Sequence, residues 1–354
     1  MLDSIIVGLG LAGAAAAFKL EQEGKRFHVF DPGRLNASKV AGGVMNPVIL
    51  KRFTLAWKSN EQLETARIFY REMEQYLQTS FLSPVEIYRK FASVQEQNNW
   101  FEAADNHQLS PFLDTRLHKK VGNGISGSFS FGKVNHTARV QTQVMLSALE
   151  NKWRSEGKLS QESFRYEDLQ LTENGVQYKD LTARNIIFCE GFGVLHNPYF
   201  KGIPMIGNKG EYLIIEAPDL QLEVMVKAGV FISPTGNGRF VVGATYNNQD
   251  KTMQPTLQAR EELEKKLSEL LEVPYQVVDQ IAGIRPTTID RRPLVGQHPV
   301  YPRIFISNGF GSRGVLTAPM ATAALLDLMD HGTPVPLEMD VSRFHKRIRK
   351  ALGF

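Results

Sequence analysis

The chain has 354 residues, room for two domains at about 150 residues each, and 42% of its side chains are hydrophobic and 22% charged. That balance is globular and excludes a disordered tail or a fibrous repeat, while a net charge of +4 is too small an excess to indicate nucleic-acid binding. The single cysteine, Cys189, excludes an intrachain disulfide and any multi-thiolate metal site, so a reducing cytoplasmic compartment and no bound metal are expected.

Ser4 to Val7 predicts a short buried strand, and Ala12 to Glu23 a helix whose first half is nearly all alanine. Arg26 to Phe30 predicts a second strand, closed by Asp31-Pro32-Gly33. The apolar run Ile5 to Phe18 is superficially like a signal-peptide core, but Asp3 stands where a positive charge belongs and the run falls short of the ~20 residues of a membrane span. A soluble, unprocessed chain with no membrane association is expected. Lys51 to Ser59 is irregular and basic. Leu63, Tyr70, Met73 and Leu77 then predict a helix from about Asn60 to Thr79, with Ser59 and Gln62 as a capping box. From Pro84 to Gly132 short apolar runs alternate with turn residues, which predicts strands and loops. Val134 to Glu156 predicts a helix, Ala183 to Glu190 a buried strand, and EYLIIEA, VFISP and RFVVGATY, between Gly202 and Tyr246, a sheet. Pro255 to Glu272 predicts a charged amphipathic helix crossing at the edge of that sheet. The strand RIFIS, a glycine turn and a helix from Val315 to about Asp330 return to the opening pattern. The fold class is therefore α/β: a Rossmann-like nucleotide-binding domain over 1–83, 132–201 and 283–354, with a sheet-rich α+β substrate domain inserted over 84–131 and 202–282.

Gly8, Gly10 and Gly13 in GLGLAG fit a dinucleotide fingerprint: a tight turn, a close approach to pyrophosphate, and close helix–strand packing. The following helix start, Leu11 and Ala12, would face the phosphates with its positive end, and Asp31 stands where an acid binds ribose hydroxyls. An acid there disfavours a 2′-phosphate, which leaves NAD and FAD open. Ser38 to Pro47 (SKVAGGVMNP) is too poor in side chains to pack as core; Ser38, Gly42, Gly43 and Asn46 could lie against a flat ring, or the stretch is a surface loop. Gly309, Gly311 and Gly314 (GFGSRG) repeat the glycine spacing at a second strand–helix junction. With too little chain left for another β-α-β unit, this junction suits a helix start that, with Ser312 and Arg313, stabilises negative charge on a reduced flavin ring. Two helix starts on one ligand suit FAD better than NAD.

Taken in order, GLGLAG with Asp31, SKVAGGVMNP, NIIFCEGFG (Asn185 to Gly193), NKGEYLII, ISPTGNGRFVVGATY, GIRPTTIDRRPLVG (Gly283 to Gly296) and ISNGFGSRGVLTAPMATAALL resemble the FAD-dependent D-amino-acid oxidase superfamily. The likeness is greatest to its glycine oxidase and sarcosine oxidase branch and runs nearly the whole length. It implies that NIIFCEGFG, with Gly191, touches the cofactor again, and that Arg285 of the G-x-R-P segment pairs with a substrate carboxylate. A guanidinium offers that carboxylate a bidentate fork; the alternative is a structural arginine bonding loop carbonyls. Two departures stand out. Asp31 replaces the family's usual glutamate, and Phe310 stands where many members have a histidine. The GFGSRG version is more similar to the oxidoreductase half of the bifunctional tRNA wobble-uridine enzyme, which removes a carboxymethyl group from carboxymethylaminomethyl-uridine.

The resemblance implies oxidation of a C–N bond, with hydride transfer to flavin N5 and hydrolysis of the resulting imine. Such chemistry needs position and charge more than a side-chain base. No catalytic side chain is therefore named; Arg285, Tyr246 and Arg313 are the candidate substrate-binding residues, while His136 and His196 could sit near the pocket, although isolated histidines are more often structural. Non-covalent FAD is expected because Cys189 lies on a buried strand. Two further readings stay open. One is tRNA as partner, to which Lys51-Arg52, His118-Lys119-Lys120 and the tail Arg343 to Lys350 could contribute; the tail could equally be a docked helix, since Phe344, Ile348 and Leu352 recur on one face. The other is a non-catalytic FAD-binding protein.

Overall fold

A computed structural model describes residues 1–127 and 129–354. The opening strand, Leu2–Val7, pairs in parallel with Phe27–Phe30 on one side and Leu181–Phe188 on the other. Leu181–Phe188 also pairs in parallel with Ile304–Asn308, which carries the antiparallel strand Leu294–Gln297. All of Ile5, Ile6, Ile186, Ile187, Ile304 and Ile306 are buried, so these strands are covered on both faces. One covering layer is helical. The opening helix, Leu11–Gln22, packs against Gly314–His331, which in turn packs on Ser59–Leu77. The alanines of the opening helix are what allow this: Ala14 to Ala17 are buried on every side.

A second sheet of eight strands is mixed, and its strands come from two distant parts of the chain. Ile87–Lys90, Leu113–His118 and Phe131–Val134 join Asn208–Glu216, Met225–Lys227, Phe231–Gly236, Arg239–Gly243 and Gln276–Arg285. The helix Leu257–Ser268 buries Ala259, Leu263 and Leu267 against the strands Asn208–Glu216 and Arg239–Gly243. It crosses a face of this sheet, not its edge.

The structure corrects three local expectations. Residues 134 to 156 do not form one helix: Ala138–Val140 is a strand, and the helix starts at Thr142 and ends at Ser155. His136 at φ 58° interrupts the chain, and Thr137 bonds its Oγ1 to the Val85 carbonyl, which favours extended backbone. Within 84–132 a helix, Val94–Ala104, interrupts the strands; Ser93 Oγ caps it by accepting from Glu96 N at 3.1 Å, and Trp100 anchors it in the core. Ser59 and Gln62 form no capping box. The residue before the Ser59–Leu77 helix is Lys58, at φ 46°, and Ser59 Oγ is buried with no partner among the described residues.

The tail helix, His345–Leu352, buries Ile348 against the parallel sheet's outer cluster with Phe344 and Leu352 beside it. Arg343 is committed to Asp290 and to the carbonyls of Asp340 and Pro293. No helix of the described residues is long and apolar enough to cross a membrane.

Candidate cofactor and substrate cavity

A cavity of about 850 Å³ lies between the two sheets, within the range of ~300–1,000 Å³ typical of ligand pockets. Its wall can be followed residue by residue. At one end are Phe164, Tyr166 and Asp31. Asp31 is buried, and both its oxygens accept backbone N–H groups: Oδ2 from Leu9 at 2.7 Å and Oδ1 from Gly33 at 2.7 Å. The acid therefore ties the glycine turn to the end of its strand as well as facing the cavity.

The turn itself permits no larger residues. Gly8 sits at φ +98°, and a Cβ there would meet the Cys189 carbonyl oxygen at 2.6 Å. A Cβ on Gly13 would meet the Gly8 carbonyl oxygen at 1.9 Å. Gly10 faces Ser38, whose Oγ accepts the Leu11 N–H at 3.0 Å and caps the helix start from another segment. Leu11 then abuts the other helix start, since a Cβ on Gly314 would meet Leu11 Cδ1 at 2.8 Å. Two helix amino ends thus converge on one cavity, each with its unpaired N–H groups and positive dipole end.

Between them runs the glycine stretch. Gly43, at φ +67°, lies against Val140, and its carbonyl accepts the Val140 N–H at 2.9 Å. Gly42 lines the cavity, and a Cβ there would come only into ordinary contact with Phe231 at 3.7 Å and Val44 at 3.9 Å. Arg313 reaches across from the second helix start and donates to the Asn46 carbonyl at 2.9 Å. Burial pulls its guanidinium pKa below the ordinary value, and no carboxylate of the described residues pairs with it. A half-buried cation in that position, without a carboxylate partner, suits an anionic ligand.

The far wall comes from the eight-stranded sheet. Arg285 donates from Nη1 to Asn208 Oδ1 at 2.7 Å and from Nη2 to the Tyr212 hydroxyl at 3.2 Å. Tyr246, 73% exposed, lies under its guanidinium at 4.7 Å. Gly210 is required here: a Cβ would stand 2.0 Å from Arg285 Nη2. The Gly311 N–H donates to the Pro286 carbonyl at 2.9 Å, which joins the G-x-R-P segment to the second glycine turn. Lys227, Met225 and Phe231 complete this wall.

Of the sequence candidates, Gly8, Gly10, Leu11, Ala12, Asp31, Ser38, Gly42, Gly43, Asn46, Gly191, Gly311, Ser312, Arg313, Gly314, Arg285 and Tyr246 all line the cavity. Gly13 and Gly309 do not. Gly13 packs on the Gly8 carbonyl, while Gly309, at φ +77°, packs on Thr288 and Leu294. His196 lines the cavity, whereas His136 packs edge-on against Phe112 away from it. Sequence spacing does not mark Phe164, Tyr166, Glu190 or Lys227. Glu190 is held between Asn197 Nδ2, at 2.7 Å, and the Tyr166 hydroxyl, and burial raises its carboxyl pKa. Lys227 was findable in one respect: Met225 and Lys227 alternate onto the same face of their strand.

The donor set fits FAD. A glycine turn and helix start suit a pyrophosphate, bare backbone at Gly42 suits a flat ring, and Arg313 suits ring charge.

Comparison with known proteins agrees. The FAD dependent oxidoreductase (DAO) family model matches residues 3–328. Glycine oxidase of Bacillus licheniformis is 26% identical over 366 aligned positions, covering 95% of each chain. The tRNA 5-methylaminomethyl-2-thiouridine biosynthesis bifunctional protein of Azoarcus sp. (strain BH72) is 30% identical over 179 residues, 44% of this chain and 28% of that protein. Among solved structures, glycine oxidase from Geobacillus kaustophilus superposes with a TM-score of 0.79 at 19% identity, covering 97% of both chains.

Proposed function

The chain belongs to the family of FAD-dependent oxidoreductases, and from that premise we propose that it oxidises the C–N bond of a small amine or amino acid bound by its carboxylate at Arg285. The observation that carries this reading is Arg285 itself. Its guanidinium stands in the cavity wall, held in place by Asn208, Tyr212 and Tyr246, and no carboxylate of the described residues pairs with it. The fork is positioned and left for an external carboxylate. When bound, FAD would supply a two-electron oxidant able to accept hydride from the carbon next to nitrogen, and the resulting substrate imine would be hydrolysed by water.

The protein's own part is binding, orientation and charge. Arg285 fixes one end of the substrate, Tyr246 supports the guanidinium from below, and Arg313 with the helix start at Gly314 offers positive charge to the flavin ring. The pyrophosphate would rest at Gly10, Leu11 and Ala12, and Asp31 would meet the ribose. Non-covalent attachment is supported by Cys189: its thiol lies in the cavity wall, but burial and Glu190 raise its pKa, so the thiolate is disfavoured. We read the parallel sheet with its helices as the FAD-binding part, the eight-stranded sheet as the substrate part, and the cytoplasm as the compartment.

The test is a visible spectrum of the purified holoprotein, followed anaerobically as glycine, sarcosine and D-amino acids are added. Bleaching of the flavin band by one of them, with its half-saturating concentration raised in Arg285→Lys at unchanged flavin content, is the expected result. A flavin band that none of them bleaches overturns the small-amine reading, and bleaching by hypomodified tRNA alone would replace it with the RNA-linked substrate.

A further inference from the structure

Of the cationic side chains in the cavity lining that have no role in the account above, Arg34 and Lys51 are exposed and Lys227 is half-buried. Lys227 ends the strand Met225–Lys227 and heads a row across the sheet: Lys227 pairs with Phe231, Phe231 with Gly243, and Gly243 with Tyr212. Its Nζ stands 5.9 Å from the Phe231 ring centroid, Phe231 stands 5.9 Å from Tyr212, and the Tyr212 hydroxyl accepts from Arg285 at 3.2 Å. The cavity floor on this side is therefore two aromatic rings with a cation beyond each end.

Lys227 is half-buried in the cavity wall, and its Nζ makes no hydrogen bond or ion pair with the described residues. Burial is the main reason its ammonium pKa falls to about 8, and the charges that act on it, Arg89, Lys266 and Arg285, are all positive. Two of those are already committed. Arg89 pairs with Glu96 at 2.5 Å, and Lys266 with Glu262 at 2.5 Å. The contrast with Lys209 is direct. Lys209 is fully buried, whereas Lys227 is half-buried; Asp250 holds Lys209 at 2.5 Å and the Gln254 carbonyl accepts from it as well, so its role is structural. No carboxylate of the described residues faces Lys227 within ion-pair distance. A half-buried cation without a partner in a cavity wall is placed to take an anionic ligand.

We infer that Lys227 forms a second anion subsite, and that the substrate is an amine carrying two carboxylates, one on Arg285 and one on Lys227, across the Phe231–Tyr212 floor. This inference rests on the proposed C–N oxidation and narrows its substrate class.

Its test separates binding from turnover. FAD-loaded protein is titrated calorimetrically with malonate, glutarate and adipate, and with the monocarboxylates of the same chain length, propionate, pentanoate and hexanoate. Expected is a preference for at least one dicarboxylate over its monocarboxylate counterpart, lost by roughly 10- to 100-fold in Lys227→Met, as befits removal of a charged hydrogen bond. Lys227→Arg should keep the preference, and Arg285→Lys should weaken both series. Flavin content and melting temperature show that each variant is folded. Equal affinity of the wild type for both series overturns the inference, as does a Lys227→Met variant whose preference is undiminished. Anaerobic flavin bleaching by N-carboxymethylglycine and by glycine is then compared. If glycine bleaches the flavin and the dicarboxylates bind no better, the inference fails and the C–N reading stands. If dicarboxylates bind through Lys227 and no amine bleaches the flavin, the reading fails and the anion subsite stands.

Discussion

At the residue scale, glycines at the same spacing have different causes, and the difference sets what substitution does. Gly13 faces the Gly8 carbonyl oxygen, 1.9 Å from where a Cβ would sit, and both partners are backbone at the foot of the nucleotide turn. Gly13→Ala should cost ~1–3 kcal/mol by overpacking. It should also lower the flavin-to-protein absorbance ratio of the purified protein, because relief requires moving the pyrophosphate turn. Gly24→Ala is the control: its φ is +68°, but nothing lies within 4 Å. It should cost ~1 kcal/mol of left-handed strain and leave flavin content unchanged. Equal flavin loss in both variants would refute the packing account. The GLGLAG turn is legible because three constraints leave only glycine at three fixed places. The second turn is only half legible: Gly311 and Gly314 line the cavity while Gly309 packs inward, a distinction that depends on Thr288 and Leu294. Lys227 is legible only as sharing a strand face with Met225, since one lysine on a short strand carries no further spacing, and its meaning comes from Arg285 on another strand.

At the element scale, what the sequence showed were the strands and helices with long periodic patterns; what it concealed were short elements fixed by tertiary partners. The helix Val94–Ala104 had a signal in Ser93 and Glu96, but its apolar anchor is chiefly Trp100, too little for a periodic stripe. The strand Ala138–Val140 forms because Val44–Met45 and Leu82–Pro84 flank it. The helix Leu257–Ser268 offers a test of how such an element is held. Thr256 Oγ1 accepts from Ala259 N at 3.3 Å and donates to Glu211 Oε1 at 2.8 Å, while Thr256 N donates to Glu211 Oε2 at 2.8 Å. Thr256→Ala removes the cap and one partner of a buried carboxylate, so a loss of ~1–3 kcal/mol is expected. Thr256→Ser should restore most of it, because the hydroxyl is what both bonds use. Urea denaturation midpoints measure this directly, and an Ala variant as stable as the Ser variant would contradict it.

At the scale of the whole molecule, the two sheets interleave along the chain, so the junctions between them are set late in the sequence and by single residues. His298 is one of these. Its Nδ1 accepts the N–H groups of Val300 at 3.1 Å and Tyr301 at 2.9 Å, which assigns the proton to Nε2, where it is donated to the Tyr199 carbonyl at 2.8 Å. The ring thereby fixes the turn between Leu294–Gln297 and Ile304–Asn308 to the segment leading into the eight-stranded sheet, and it stacks on Tyr301 at 4.8 Å. Protonating Nδ1 would point a hydrogen at two donors in a buried site, and burial is the main cause that takes the pKa down from 6.5 to about 4. The folded state thus resists a proton that the unfolded state accepts. The stabilisation is complete above pH 6.5, and it is lost progressively as pH falls from there to about 4, by at most about 3 kcal/mol. Asp250, whose carboxyl Lys209 holds down at about 2 from 3.8, acts in a separate and lower window, between those two values. Urea midpoints from pH 7 to 4 for the wild type and His298→Gln should therefore diverge in slope, the wild type losing stability more steeply as though it took up about one proton more on unfolding. His28 is also shifted downward by burial, so the readout is the difference between the two slopes and not the wild-type slope alone. Parallel curves would mean that His298 does not titrate between the folded and unfolded states, and that the junction is held without it.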